Sequence, residues 1–278
     1  MPKTRPLIGA MIDVPDGPVH VREDGPVDAA PVLLVHGFAN SMHAYDRVTP
    51  LLSDEYRVIR VDLRGHGGTG GHDHLDSLSQ GRMLSAVLDR LGVDGVTAVG
   101  HSYGADAALA VAAQSNRVDK VVVIDQAPDY SYANIPRTSI LLTLPVLGDV
   151  LNRLASPTSV RFFGRIGFAP GYRPADGHES PSREYDDFRA MSAKMQRVVL
   201  RDRRTALAHN PLDHRIREIG KPAAVLHGRY DLMYDVDRTL ARYRAVGADV
   251  TVIDDAGHSP NVEQPEAVAA ALKTFLRT

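Results

Sequence analysis

The chain has 278 residues, of which 44% are hydrophobic and 24% charged, the composition of a folded globular protein rather than a disordered one. Its formal net charge of −2 gives no global basic field for nucleic acid or an anionic membrane. The chain has no cysteine, which excludes disulfides, thiol catalysis and cysteine-held zinc.

Met1 to Val14 carries no apolar run followed by a small-residue cleavage site. Ile8 to Val14 and Val19 to Arg22 flank Asp16-Gly17, which predicts a hairpin. Val32 to Val35 is a continuous apolar run, suited to a strand covered on both faces. It leads into His36-Gly37-Phe38, then a helix expected to end near Leu52 and a strand from Tyr56 to Asp62. The glycine-rich stretch Arg64 to Gly71 follows. From Leu78 to Leu91 the apolar residues Met83, Leu84, Val87, Leu88 and Leu91 recur with helical spacing. Val96 to Val99 and Lys120 to Asp125 read as strands, and the alanine-rich Ala105 to Ala113 between them as a helix. Ala223 to His227 and Val250 to Ile253 predict strands, Asp235 to Val246 a helix, and Pro265 to Leu276 a last helix with proline in its first turn. Strands alternate with helices, so an α/β fold is expected, with a mostly parallel, doubly wound sheet.

One long interruption, residues 126–205, separates residues 1–125 from 206–278. Prolines divide it, yet it holds too many apolar residues for a bare surface loop, among them Leu141, Leu144, Leu147, Phe162 and Phe163. An insertion at the carboxyl ends of parallel strands is where a lid over a site would sit. Its longest apolar run, Ile140 to Leu147, is too short to span a bilayer and contains Pro145. A cytoplasmic protein is therefore expected. Its oligomeric state stays open.

The chemistry centres on Gly100-His101-Ser102-Tyr103-Gly104, a G-x-S-x-G between a strand and a helix. Such a corner lifts a serine hydroxyl above the sheet edge and sets a helix N-terminus behind it. A serine nucleophile needs a base, and the base an orienting acid. Twelve histidines make any one of them uninformative by itself. His258 differs because it lies in a Gly-His turn between the last strand and the last helix. For the acid, Asp231 follows one strand end and Asp125 terminates another. Asp125 otherwise reads as a hydrogen-bonding residue at a strand end. The stretch from Gly65 to Gly71 lacks the Lys-Ser/Thr of a phosphate-binding loop. His72-Asp73-His74-Leu75-Asp76 is half of a metallo-hydrolase run, but Ser77 stands where a histidine ligand is needed, so no metal is expected.

Taken together, His36-Gly37-Phe38, Asp62-Leu63-Arg64-Gly65-His66-Gly67, the Ser102 pentapeptide, His227-Gly228-Arg229-Tyr230-Asp231 and Gly257-His258-Ser259-Pro260 resemble the α/β-hydrolase superfamily in both content and order. The resemblance covers nearly the whole chain. It implies a sheet of about eight strands with a helical lid. It also implies a triad of Ser102, Asp231 and His258, and an oxyanion hole made by the backbone N–H groups of Phe38 and Tyr103. His36 and His66 are then structural, and His101 packs beneath the nucleophile. Tyr45 stands where an aromatic, often tryptophan, packs near the oxyanion loop. The Tyr103 ring is expected to narrow the acyl pocket. A serine rather than an aspartate nucleophile argues against dehalogenase and epoxide hydrolase chemistry. The expected activity is cofactor-free hydrolysis of an ester, lactone or thioester of a hydrophobic small molecule. Leu141, Leu144 and Leu147 of the lid are expected to contact that substrate. Rivals on the same triad are a C–C bond hydrolase, a perhydrolase, a biosynthetic thioesterase or cyclase and, outside catalysis, a ligand receptor.

Overall fold

The β-branched runs of the sequence become neighbouring strands of one sheet in the computed structural model. It describes residues 8–135, 137–144 and 147–278, apart from the side chains of 137, 138, 140 and 147–149. β1 (Ala10–Ile12) and β2 (Val19–Asp24) form an antiparallel hairpin. β3 (Pro31–Val35), β4 (Arg57–Val61), β5 (Val96–His101), β6 (Val118–Ile124), β7 (Ala223–Gly228) and β8 (Asp249–Ile253) run parallel to one another. The order across the sheet is β1-β2-β4-β3-β5-β6-β7-β8, with β2 antiparallel to β4. Connections leave β3 in both directions, so a crevice opens at its carboxyl end, where α/β sheets bind ligands.

The period of two along each strand explains the unbroken apolar runs. In β3, Leu33 and Val35 join a cluster on one face of the sheet, while Val32 and Leu34 join a cluster on the other. The second face is covered by α1 (Thr49–Leu52) through Leu52. The first is covered by α2 (Ser77–Leu91) through Met83, Leu84, Val87 and Leu88, and by α3 (Tyr103–Gln114) through its small alanines. Asp76 starts α2 by accepting from the Ser79 N–H, and Gly92, at φ 61°, ends it in the left-handed region.

Between β6 and β7 come a 3-10 turn (Arg137–Thr143), α4 (Leu147–Leu154), α5 (Pro157–Gly164), α6 (Arg183–Ala190), α7 (Lys194–Arg197), α8 (Arg203–His209) and α9 (Leu212–Ile219). The middle and the later part of this segment behave differently. Met191, Met195, Val199, Leu207, Leu212 and Ile216 are buried in the first cluster of the sheet. Leu154, Phe162 and Phe163 instead stand 75%, 64% and 74% exposed. The chain closes with α10 (Val236–Ala245), α11 (Pro260–Glu263) and α12 (Pro265–Leu276), whose Val268, Leu272 and Phe275 complete the second face.

Three helical details differ from the sequence reading. The helix expected before Leu52 is a 3-10 turn (Met42–Tyr45) followed by the single turn of α1. Ser41 caps the first piece and Pro50 opens the second, so each has its own start. α9 has no counterpart in the sequence reading: four of its eight residues are charged and Leu212, Ile216 and Ile219 are its apolar positions. Nor has α11, a four-residue turn that begins at Pro260. Among the described residues no helix is long and apolar enough to cross a membrane.

Candidate active site

Ser102 sits between β5 and α3 with φ 51° and ψ −119°, a region that costs a non-glycine residue about 1–3 kcal/mol. Two backbone bonds hold it there. Its N–H donates to the Ile124 carbonyl and its carbonyl accepts from the Ala105 N–H, both at 2.9 Å. The flanking glycines follow from contact. A Cβ on Gly100 would strike the backbone of Gly104, and one on Gly104 would strike the carbonyls of Val35 and His36. The corner is thus wedged between its own helix and the end of β3.

Three side chains meet above this corner. His258, in the loop after β8, places Nε2 3.0 Å from Ser102 Oγ and Nδ1 3.1 Å from Asp231 Oδ2. Asp231, in the loop after β7, accepts the Met233 N–H on Oδ1 at 2.7 Å. The tautomer consistent with these contacts donates Nδ1–H to Asp231 and leaves Nε2 to accept the serine hydroxyl. Asp231 and His258 are 8% and 4% exposed. Burial disfavours the Asp231 carboxylate. The His258 and His227 imidazoles outweigh it and hold the group well below the ordinary carboxylate range.

Asp125 does not touch the His258 ring nitrogens. Both of its oxygens accept the Gly228 N–H, at 3.1 and 3.0 Å, as expected of a hydrogen-bonding residue at a strand end. Burial, reinforced by the neighbouring Asp231, pushes its carboxyl up to about 7, with His227 opposing.

Phe38 and Tyr103 lie on the two backbone segments that flank Ser102. A Cβ on Gly37 would sit 3.1 Å from that of Ser102, so the 36–38 loop passes directly over the serine. His36 shapes this loop. Its Nδ1 donates to the Gly37 carbonyl at 2.8 Å and its Nε2 accepts the Leu63 N–H at 3.0 Å. Burial keeps the ring neutral, as both bonds require. His101 is buried as well and donates Nε2–H to the His258 carbonyl at 2.6 Å. Tyr45 donates to the Val35 carbonyl at 3.1 Å, at the foot of the same loop. Tyr103 departs from expectation. Its ring is buried in the first core cluster and its hydroxyl donates to the Leu75 carbonyl at 2.5 Å, so it packs towards α2 rather than narrowing an acyl pocket. A phenol placed in the first turn of a helix over an apolar cluster buries its ring and needs one acceptor, which Leu75 supplies.

The glycine-rich stretch after β4 wraps around Asp62. That carboxylate accepts from the N–H groups of Met42 and Gly68, both at 2.7 Å, and from His20 Nδ1 at 2.7 Å. Burial opposes its charge, but His20, His36 and these donors hold it down to about 2. His72 pairs with Ser192 Oγ at 2.9 Å, and Asp76 caps α2. Among the described residues, Asp125, Asp231 and His258 are the group that brings several ligand-type atoms together, all within 4.8 Å. Those atoms already face Gly228, Met233, His227 and one another. Leu141 and Leu144 are 46% and 45% exposed, and the side chain of Leu147 lies outside the described residues. Beside the Asp231 loop, a cleft of about 400 Å³ is lined by Leu232, Arg165, Tyr172 and Arg173.

Sequence reading gives no role to Glu263, to Asp187 or to His227, which it names only within a motif. Glu263 Oε1 accepts the Gly257 and Ser259 N–H groups, at 2.9 and 3.2 Å, and Oε2 accepts the Ala169 N–H at 2.7 Å. It therefore clamps the His258 turn on both sides and ties it to the segment between β6 and β7. An available signal was its spacing, four residues after Ser259 in Ser259-Pro260-Asn261-Val262-Glu263. Asp187 on α6 accepts from Ser41 Oγ at 2.9 Å and so holds the loop after His36-Gly37-Phe38 from outside. Glu263→Ala would strand three N–H groups. It is expected to destabilise the fold by about 3 kcal/mol or more, and to lower kcat further by freeing the His258 turn. Thermal melting and steady-state rates on the same samples check this. An unchanged Tm would remove the clamp.

The family model described as the alpha/beta hydrolase family matches residues 32–271. The chain belongs to the α/β hydrolase family. The chain is 35% identical over 103 residues to Esterase YbfF of Escherichia coli (strain K12), a stretch covering 36% of this chain and 41% of that protein. Among solved structures, it resembles an esterase (EaEST) from Exiguobacterium antarcticum, with a TM-score of 0.75 and 20% identity over 98% of this chain and 100% of that one. N-acyl homoserine lactonase AidH, solved in complex with N-butanoyl homoserine, matches with a TM-score of 0.76 and 20% identity over 96% and 95%. At such identities, likeness to these α/β hydrolase structures speaks for the fold alone.

Proposed function

We propose that the protein is a serine hydrolase that cleaves a carboxylic ester, lactone or thioester of a hydrophobic small molecule through an acyl-enzyme. The observation that carries this reading is the unbroken chain from Ser102 Oγ to His258 Nε2 at 3.0 Å and from His258 Nδ1 to Asp231 at 3.1 Å. Ser102 Oγ attacks the substrate carbonyl carbon while His258 Nε2 takes its proton. The carbonyl π electrons move to oxygen, and that oxyanion is held by the N–H groups of Phe38 and Tyr103. Tyr103 N–H opens α3, where helix N–H groups point outward without intrahelical partners. His258 then returns the proton to the departing alcohol or thiol. Water repeats the sequence on the acyl-enzyme and releases the acid. Asp231 keeps Nδ1 protonated and stabilises the imidazolium. Serine at position 102 favours acyl transfer over the alkyl displacement that an aspartate would perform.

The segment 126–205 acts as the lid in this reading. Leu141 and Leu144 leave about half of their surface in solvent, where a substrate chain could cover them. Each methylene so buried contributes about 0.8 kcal/mol, roughly fourfold in binding. Leu141→Ala and Leu144→Ala are expected to alter the acyl chain-length profile on p-nitrophenyl esters and leave covalent labelling of Ser102 intact. A profile that does not move assigns the pocket elsewhere. The reading as a whole is tested with a fluorophosphonate probe followed by peptide mapping, alongside a panel of esters, lactones and thioesters. Label on Ser102 with multiple turnovers is expected. An active enzyme that takes no label, or takes it on another residue, would sink the proposal.

A further inference from the structure

A second acid and a second imidazole lie behind Ser102, His258 and Asp231. β6 and β7 pair with Ile124 opposite Leu226, so the next residues, Asp125 and His227, emerge side by side. Both are fully buried. His227 Nε2 lies 3.0 Å from Asp231 Oδ2 and 3.5 Å from Asp125 Oδ1. Its ring is directed at neither oxygen, and Nδ1 has no hydrogen-bond partner. The Asp125 and Asp231 carboxylates have oxygens within 4.8 Å of one another, and charging both away from water is costly unless a cation lies between them. A buried imidazole without directed hydrogen bonds is costly unless charge compensates it. One additional proton, beyond those of two carboxylates and a neutral imidazole, meets both requirements.

We propose that Asp125 and His227 are a positioning pair that together carry this one additional proton and so keep Asp231 ionised in front of His258. The proposal rests on the triad reading above and adds a regulation of that site by pH. The titratable groups facing the pair are Asp231 from the loop after β7 and His258 from the loop after β8. Beyond them lie His101 at the end of β5 and Tyr234, whose ring packs on His258. Burial and Asp231 raise the Asp125 carboxyl to about 7. Burial works against the His227 cation, but Asp125 and then Asp231 outweigh it and raise that group too. The additional proton therefore leaves near or above neutral pH. Its loss adds one negative charge beside Asp231 and tightens the hold on a protonated His258. The two events are coupled, so kcat/KM should rise with pH over a broadened range rather than through one simple ionisation.

Asp125→Asn keeps an acceptor for the Gly228 N–H and removes the titration. Its kcat/KM profile is expected to sharpen to a single ionisation, displaced by about one pH unit. His227→Gln removes the cation and should lower kcat with little change in KM, since substrate binding is not its task. A second readout needs no activity. A carboxyl whose folded pKa is raised binds its proton more tightly in the native state. Its stabilisation is present below about pH 4 and is lost as pH rises towards 7. Asp187, raised to about 6, and Glu263, also raised, contribute slopes of the same sign. The comparison is therefore the difference in Tm between Ser102→Ala and Ser102→Ala/Asp125→Asn, measured from pH 4 to 8. That difference should change across the range as the Asp125 slope disappears. If Asp125→Asn does not fold, Ser102→Ala/His227→Gln replaces it, and the falling limb should extend to higher pH. Parallel melting curves and superimposable rate profiles overturn the pair. Undiminished turnover by Ser102→Ala would instead overturn the triad reading, while the melting comparison would still test the proton.

Discussion

Ser102→Ala should reduce kcat on the best ester by about 10⁶-fold, the scale observed when the serine of a comparable triad is removed. The argument is geometric. Ser102 Oγ is the hydroxyl within 3.0 Å of His258 Nε2, and alanine offers no atom to attack the carbonyl carbon. The fold should survive. The bonds that hold position 102 are made by its N–H and carbonyl, which alanine retains. Alanine also meets the strain at φ 51° that serine already bears. The protein should therefore melt near the wild-type temperature and take no fluorophosphonate. Activity would be measured under conditions that detect a trace of contaminating wild type, with probe titration to count active sites. Residual turnover above about a hundredth of wild type, from protein without label, would mean that another group carries the reaction.

Asp231→Asn should lower kcat by about 10⁴-fold, the loss associated with this change in a serine-protease triad. An asparagine that turns its NH₂ towards His258 donates to Nδ1. The ring must then carry its proton on Nε2 and can no longer accept from Ser102. The Met233 N–H, now accepted by Asp231 Oδ1 at 2.7 Å, can keep its bond to the asparagine carbonyl, so the loop should hold its shape. Asp125→Asn should cost far less at the pH of maximal rate, because Asp125 faces Gly228 and His227 rather than the nitrogens of His258. Both variants would be compared for kcat and Tm across the pH range. A folded Asp125→Asn without turnover, beside an active Asp231→Asn, would transfer the acid's role to the end of β6.

The strand–turn–helix corner at Ser102, the strand order of motifs and the hairpin at the start were legible because each is encoded within a few consecutive residues. Val32 to Val35 is apolar at every position because both faces of its strand are covered, and that pattern needs no partner to be recognised. His258 stood out among twelve histidines by the same local logic, a Gly-His turn after a strand. The composition alone excluded disulfides and thiol chemistry. Other features depended on register and packing between residues far apart in the chain. Asp125 meets His227 because β6 and β7 align Ile124 with Leu226, a match fixed by the whole sheet. Ser41 reaches Asp187 across 146 positions, and Glu263 reaches Ala169 across 94. Tyr103 turned into the core because a buried acceptor, the Leu75 carbonyl, lay within reach of its hydroxyl. Backbone corners and apolar periodicity are local properties of the chain. The partners of buried polar groups are decided only when burial removes water and each must find what the tertiary structure has brought beside it.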